Sequence, residues 1–142
     1  MKRIISSLLA VVLTIAVIFC FVGCSNSVPK EGLWKDATYL SDTTLGEGSK
    51  AVAVEVKAGE TSVNFTVKTN KDTVGAALLD AKLIEGEQGD YGLYVKKVNG
   101  ILADYNTDKS YWAFYVNGEY AMSGVDTTKI TEGEQYKLEY TK

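Results

Sequence analysis

The sequence predicts an α+β fold in which a mixed, β-grasp-like sheet packs against one helix. Three observations predict it. Two alternating apolar runs lie between residues 51 and 69, the apolar period lengthens to that of a helix near residue 73, and Asn-Gly pairs follow at 99–100 and 117–118. The predicted order is two N-terminal strands, one helix, two Asn-Gly hairpins and a closing strand, with one sheet face on the helix and the other free.

Residues 1–23 have the form of a secretory signal peptide. Lys2 and Arg3 precede an almost unbroken apolar run over residues 4–22. The run ends in F-V-G-C, which resembles the lipobox of bacterial lipoproteins, although leucine is usual where Phe21 stands. This resemblance implies that Cys24 is lipidated, becomes the mature N-terminus and tethers the protein to the extracellular face of the cell membrane.

An uncleaved membrane anchor is the alternative, because about 20 apolar residues can span a bilayer. Both alternatives place the remainder outside the cytoplasm. Cys20 lies inside the apolar run and would be removed with it, so the mature chain has no second cysteine to pair with Cys24. The folded part is therefore expected to hold together by packing alone.

The charge of the mature chain excludes some partners. Removing Lys2 and Arg3 leaves 13 basic against 18 acidic residues, a net charge of −5. Nucleic acid binding rests on basic contacts to phosphate, so no nucleic acid partner is expected. Electrostatic adhesion to anionic lipid is equally disfavoured, which leaves acyl chains as the membrane attachment.

Residues 24–48 are predicted to form the lipidated N-terminus and a linker. This segment is polar, contains Pro29 and shows no sustained periodicity, although a short strand is predicted near residues 37–40. The folded domain is predicted over residues 49–142.

The first hairpin and the helix follow from apolar spacing. Valines at 52, 54 and 56 share one face, as do Val63, Phe65 and Val67, with a turn over residues 58–60 between the two runs. Thr73 is suited to cap a helix whose apolar stripe contains Val74, Ala77, Leu78 and Ala81. We expect Gly86 to end the helix, and Gly75 to permit close approach to the sheet.

The Asn-Gly turns fix which residues face each other across the later hairpins. Asn117-Gly118 places Val116 opposite Glu119 and Tyr115 opposite Tyr120, while Asn99-Gly100 places Tyr94 opposite Tyr105. Alternation then assigns Trp112, Phe114 and Val116 to the core. The opposite face receives Tyr111, Ala113, Tyr115, Tyr120 and Met122.

The tyrosines away from the core form the candidate binding surface. A tyrosine buries its ring and keeps a hydroxyl for a partner, which suits recognition of a ligand. The candidate ligand-binding residues are Tyr94, Tyr105, Tyr111, Tyr115, Asn117 and Tyr120. The alternative is that these rings are cross-strand pairs that only stabilise an exposed face.

Catalytic and metal-binding residue types are scarce. The chain contains no histidine, and its acidic residues are scattered over turns and strand ends, so we expect neither an enzyme nor a metal site nor a bound cofactor. Residues 104–108 read D-x-N-x-D, the start of a calcium loop. Lys109 stands where that loop needs glycine and Tyr115 where it needs glutamate, so an ordinary polar turn is predicted.

Residues 51–140 resemble the transcobalamin-like C-terminal domain family, which occurs in secreted proteins and lipoproteins of Gram-positive bacteria. The motifs that carry the resemblance are TVGAALLDAKLI, YGLYVKKVNGILADY and YWAFYVNGEYAMSGVD. The resemblance implies a β-grasp-like fold. In the animal cobalamin carriers of this family it also implies closure over a corrinoid together with a helical domain, with the strand equivalent to Tyr111-Trp112 near the ligand.

The function predicted from the sequence is a membrane-tethered, non-catalytic extracellular module that binds a small ligand, with cobalamin or another corrinoid as the first candidate. The alternative is a cell-surface interaction domain whose exposed aromatic face meets a protein or a glycan.

Replacing the predicted lipidation site tests the tether. Cys24→Ala is expected to move the protein out of the membrane fraction or to block its maturation, because the predicted mature chain then has no cysteine to carry lipid. Cell fractionation with an immunoblot measures this, and Cys20→Ala, inside the removed run, serves as control. Unchanged membrane retention of Cys24→Ala would instead support the uncleaved anchor.

Overall fold

The computed structural model describes residues 27–142, and the predicted lipidation site Cys24 lies outside them. The predicted α+β class is confirmed. Two short helices accompany nine strands in the described chain, together with a 3-10 turn at Gly32–Trp34. The elements are β1 (Thr43–Gly46), β2 (Lys50–Ala58), β3 (Thr61–Thr69), α1 (Val74–Asp80), β4 (Ile84–Gly89), β5 (Gly92–Val98), β6 (Ile101–Leu102), α2 (Tyr105–Asp108), β7 (Tyr111–Val116), β8 (Glu119–Tyr120) and β9 (Gln135–Thr141).

The larger sheet has six strands in the order β1-β3-β2-β9-β7-β8. The predicted first hairpin is confirmed, with Val54 opposite Phe65 and a two-residue turn at Gly59-Glu60. β9 lies between β2, to which it is parallel, and β7, to which it is antiparallel. The closing strand of the sequence is therefore a central strand of the sheet.

One face of this sheet carries the core. Val52, Val54, Val56, Phe65 and Leu138 are almost fully buried on it. The same core cluster includes residues of α1, the smaller sheet and the N-terminal segment, among them Leu78, Val98 and Trp34. Because this cluster is built within residues 28–138, residues 27–142 contain the apolar packing expected of an independently folded domain.

The prediction of a single sheet is wrong, because β4, β5 and β6 form a separate three-stranded sheet. β6 has only two residues, Ile101 and Leu102, so it ends soon after the Asn99-Gly100 turn. β4 was not predicted at all. Its residues after Ile84 are polar or glycine and exposed, so the apolar alternation that reveals a strand is missing.

Helix α1 is shorter than predicted. Thr73 caps it, accepting a hydrogen bond from Ala76 N–H at 3.2 Å, and the helix ends at Asp80. The end is closed by hydrogen bonds from Leu83 N to Leu78 O and from Lys82 N to Leu79 O, with Lys82 at a φ of 58°. These two bonds and the left-handed residue form a Schellman motif, in which glycine usually occupies the position that Lys82 has here. Because no glycine marks this position, the sequence did not reveal the end of the helix.

Gly86, the predicted helix stop, lies in β4 at an irregularity of its pairing with β5. A Cβ atom at this position would lie 2.2 Å from the carbonyl oxygen of Tyr94, so only glycine fits. Gly75 also allows close approach, but to a loop and not to the sheet. A Cβ there would lie 2.8 Å from the Cα of Asp126.

Much of the predicted 24–48 linker packs against the domain. Val28, Trp34 and Ala37 are buried, and the Trp34 indole N–H donates to the Ala58 carbonyl at 3.0 Å. The strand predicted near residues 37–40 does not form. β1 lies further on and pairs in parallel with β3.

Asn99 explains what replaces the strand near residues 37–40. Its side-chain oxygen accepts from Tyr39 N at 2.9 Å, and its amide donates to Tyr39 O at 2.8 Å. Its backbone carbonyl accepts from Thr38 N, and its backbone N–H donates to Leu83 O. One buried residue thus forms hydrogen bonds with the backbone groups of Thr38 and Tyr39, and so ties the N-terminal segment to the smaller sheet.

The two Asn-Gly turns offer a matched test of this clamp. Asn99 and Asn117 have nearly equal φ angles of 50° and 51°, so Asn→Ala removes the same backbone preference at both. Asn99→Ala also leaves both partly buried backbone polar groups of Tyr39 without partners, whereas Asn117→Ala removes one exposed hydrogen bond from Gln135 N. Asn99→Ala should therefore cost about 1–3 kcal/mol more in the free energy of unfolding than Asn117→Ala. Urea denaturation measures the difference; equal losses would contradict the assigned role of Asn99.

Candidate functional site

A cavity of about 490 Å³ lies among β5, the α2 turn and the start of β7. Its size falls within the range of small-molecule sites. Three of the predicted tyrosines line it, together with a cation, a carboxylate and an amide. The lining residues are Tyr94, Lys96, Ala103, Asp104, Tyr105, Asn106 and Tyr111.

Strand β5 contributes Tyr94 and Lys96, which are two residues apart. Tyr94 is 43% exposed, so much of its ring is available to a ligand. The Lys96 ammonium lies 3.1 Å from a carboxylate oxygen of Glu87 on β4. Both side chains of this ion pair are substantially exposed, so its contribution to stability is small, and Lys96 can exchange its partner at little cost.

The α2 turn presents Tyr105 and is held by side-chain caps. Asp104 accepts from Asn106 N at 3.1 Å and from the Thr107 hydroxyl at 2.9 Å. The buried Ser110 hydroxyl accepts from Asp104 N at 3.0 Å and donates to the Asp108 carboxylate. The carboxylates of the D-x-N-x-D sequence are thus used to build a turn, as predicted.

The register predicted for Tyr94 and Tyr105 is wrong. β6 ends at Leu102, Tyr94 is opposite Glu87 on β4, and Tyr105 begins helix α2. The physical reason is Asp104, whose side chain caps a helical turn and so removes Tyr105 from the strand. Both rings nevertheless line the same cavity, and the Lys109 ammonium lies 4.8 Å from the centre of the Tyr105 ring.

Tyr115, Tyr120 and Asn117 lie apart from this cavity. The predicted register is confirmed, with Tyr115 opposite Tyr120. Their ring centres are 5.6 Å apart in an edge-to-face arrangement, and the Lys137 ammonium lies 4.4 Å from the Tyr115 ring centre. Asn117 accepts from Gln135 N at 2.9 Å. At the free end of the hairpin, Tyr115 and Tyr120 thus form a stabilising cross-strand pair, and Asn117 forms a hydrogen bond to β9.

The residues assigned to the core face inward. Trp112 and Phe114 are buried, and Val116 is half-buried against the core. The Trp112 indole donates to the Ile101 carbonyl at 3.2 Å, and its ring meets Tyr140 edge-to-face at 5.7 Å. The indole hydrogen bond joins β7 to the smaller sheet one residue away from Tyr111, which lines the cavity.

Sequence reasoning missed Lys96, Asp104 and Asn106 as lining residues. One signal was present, since Lys96 follows Tyr94 by two residues in an alternating strand and so shares its face. Asp104 and Asn106 join the site only through the α2 turn, which the hairpin interpretation excluded.

Within residues 27–142, acidic side chains form no group of three or more that could hold a metal ion. The described helices are also too short or too polar to span a membrane. The cavity can therefore offer ring faces, hydroxyl and amide groups, and one exchangeable cation to a ligand.

The hydrogen bonds that Ser110 donates to Asp108 depend on the ionisation of the Asp108 carboxyl group. Hydrogen bonds from the Ser110 hydroxyl and N–H hold the pKa of Asp108 below its ordinary value of 3.8; partial desolvation opposes them and the charge of Lys142 adds to them. Because the pKa is lower in the folded state, this stabilisation is present above pH 3.8 and is lost as the pH falls through the folded-state pKa.

The described residues form an α+β domain with a tyrosine-lined cavity. The profile of a family described as a domain of unknown function, DUF4430, matches residues 71–142, about half of the chain. The chain belongs to this family. The search of curated proteins gave no match.

Solved structures with a similar fold include the following two. One is a protein from Ruminococcus gnavus ATCC 29149, provisionally described as metal-binding, with 27% identity, a TM-score of 0.62 and coverage of 66% of this chain and 98% of that one. The other is haptocorrin in complex with Cbi, with 20% identity and a TM-score of 0.53. That match covers 66% of this chain but only 25% of haptocorrin, and at this identity it shows the fold alone.

Removing the Asp108 charge tests the turn. Asp108→Asn should lower the melting temperature at pH 7 and lessen the loss of stability between pH 5 and pH 3, because asparagine does not titrate. Thermal unfolding across this pH range measures both effects. Asp80→Asn, at an exposed helix position, controls for the loss of one charge; the same pH profile for both variants would contradict the prediction.

Proposed function

We propose that this protein is a non-catalytic, β-grasp-like module that binds a small molecule in the cavity lined by Tyr94, Tyr105 and Tyr111. The meeting of three partly exposed rings around a cavity of about 490 Å³ carries this proposal. Each ring comes from a different element, namely β5, α2 and β7. Rings held in this way lose little side-chain entropy when a ligand stacks on them, and their hydroxyls orient the ligand through directional hydrogen bonds.

A corrinoid is the first candidate ligand. Haptocorrin, which shares this fold, was solved in complex with Cbi. A corrin macrocycle offers a broad face for the tyrosine rings, and its amide side chains match the hydroxyl and amide groups of the cavity. The open position of the cavity on one side of the domain suits a large ligand that is only partly enclosed.

The module is proposed to act on the extracellular face of the bacterial cell membrane, tethered through a lipid on Cys24. The lipobox-like F-V-G-C sequence at residues 21–24 supports this placement. Tethering would hold the cavity close to the membrane, where a captured nutrient would be needed for uptake.

A second candidate function uses the other aromatic pair. Tyr120 is 61% exposed beside Tyr115 at the free end of the β7–β8 hairpin. This exposure favours contact with a surface protein or a glycan, and such binding would depend on Tyr115 and Tyr120 but not on Tyr105.

Titration with cyanocobalamin tests the corrinoid proposal. The wild-type protein should bind it, and Tyr105→Ala should weaken binding by about ten-fold, the effect of losing one stacked ring. Isothermal calorimetry measures both affinities. Tyr91→Ala is the matched control, because Tyr91 is a fully exposed tyrosine outside the cavity.

Absence of heat or spectral change at high micromolar cyanocobalamin would remove the corrinoid proposal. Binding that Tyr105→Ala and Tyr91→Ala leave equally intact would place the ligand somewhere other than this cavity.

A further inference from the structure

A second depression, the apolar groove, adjoins the tyrosine cavity. It has a volume of about 390 Å³, and Leu93, Trp112, Phe114, Ala121 and Met122 are among its lining residues. Tyr94 and Tyr111 line both the groove and the cavity. The two spaces are therefore neighbours on either side of one pair of rings.

The two spaces differ in charge. The cavity contains Lys96 and Asp104, whereas no charged side chain lines the groove within the described chain. An ion held in the groove would lose part of its hydration without gaining a charged partner among the lining residues, which is unfavourable. An uncharged apolar group would instead gain by burial there.

The wall of the groove opposite β7 is held in place by several contacts. Asp126 accepts a hydrogen bond from Leu93 N at 3.1 Å, which ties the loop after β8 to β5. Gly75 N donates to Val125 O at 2.7 Å, and the absence of a side chain on Gly75 lets α1 pack directly on this loop. Ala121 N donates to Phe114 O at 2.9 Å. The groove is thus formed before any ligand arrives.

We infer that cavity and groove are two subsites for one amphipathic small molecule. Its hydrogen-bonding part occupies the tyrosine cavity, and its uncharged apolar part crosses between Tyr94 and Tyr111 into the groove. This inference rests on the proposed function, since it assumes a ligand in the cavity, and it adds the class of ligand and a second subsite that the tyrosine pattern did not reveal.

A neutral apolar dye tests the groove without any assumption about the natural ligand. We would titrate N-phenyl-1-naphthylamine into residues 27–142 carrying Trp34→Phe, which leaves Trp112 as the only tryptophan of that fragment. Dye in the groove should quench Trp112, which lines it. Unchanged Trp112 emission when dye binding is saturated would overturn the inference.

Filling the groove gives the matched comparison. Ala121→Phe places a ring in the groove and should weaken dye binding by about ten-fold or more. Ala51→Phe makes the same change at an exposed alanine on β2 and should leave binding unchanged. Met122→Lys, at a fully exposed position, is a second variant whose folding is not at risk. Dye affinity that neither groove variant lowers would overturn the inference.

Competition separates this inference from the corrinoid proposal. If cyanocobalamin binds and displaces the dye, the two subsites serve one ligand. If it binds through Tyr105 and leaves the dye in place, cavity and groove are independent and the inference fails. If it does not bind at all, the corrinoid proposal fails and the dye titration alone decides whether the groove is an apolar subsite.

Discussion

The position of the smaller sheet depends on one buried side chain, Asn99. This residue forms the turn between β5 and β6, where its positive φ angle is required, and its amide pairs with both backbone polar groups of Tyr39. Its backbone bonds reach Thr38 and Leu83 as well. The N-terminal segment, the chain after α1 and the β5–β6 turn are thereby joined at one point. Backbone polar groups that are shielded from water need hydrogen-bond partners. Other arrangements of these three segments would leave such groups unpaired.

The candidate site follows from that junction. With the smaller sheet fixed, Tyr94 on β5 lies beside the start of β7, where Tyr111 stands. The bond from the Trp112 indole to Ile101 ties the two sheets together behind them. The capped α2 turn then adds Tyr105. Each ring is thus carried by an element with its own hydrogen-bonded support, which is the arrangement that a preformed recognition site needs.

The sequence predicted the parts of the fold that local rules determine. The Asn117-Gly118 pair predicted a two-residue turn and its pairing register, and the alternation of apolar residues predicted which face of β7 is buried. The sequence could not reveal β4, whose polar residues pair with β5 without an apolar pattern. It also misassigned Tyr105, because one capping side chain, Asp104, outweighed the continuation of a hairpin. Three of the six candidate ligand-binding residues meet at the cavity, and the tertiary arrangement that separates them from the other three has no signature in a single sequence.

The central claim is that ligand recognition occurs at the tyrosine cavity and not on the free end of the β7–β8 hairpin. Mapping of backbone amide shifts by ¹H–¹⁵N NMR on residues 27–142, with cyanocobalamin as the probe, tests this most directly. The largest shifts are expected at Tyr94, Tyr105 and Tyr111, with little change at Tyr115 and Asn117, which line neither the cavity nor the groove. Shifts concentrated at Tyr115 and Asn117, or none at saturating probe, would contradict the claim.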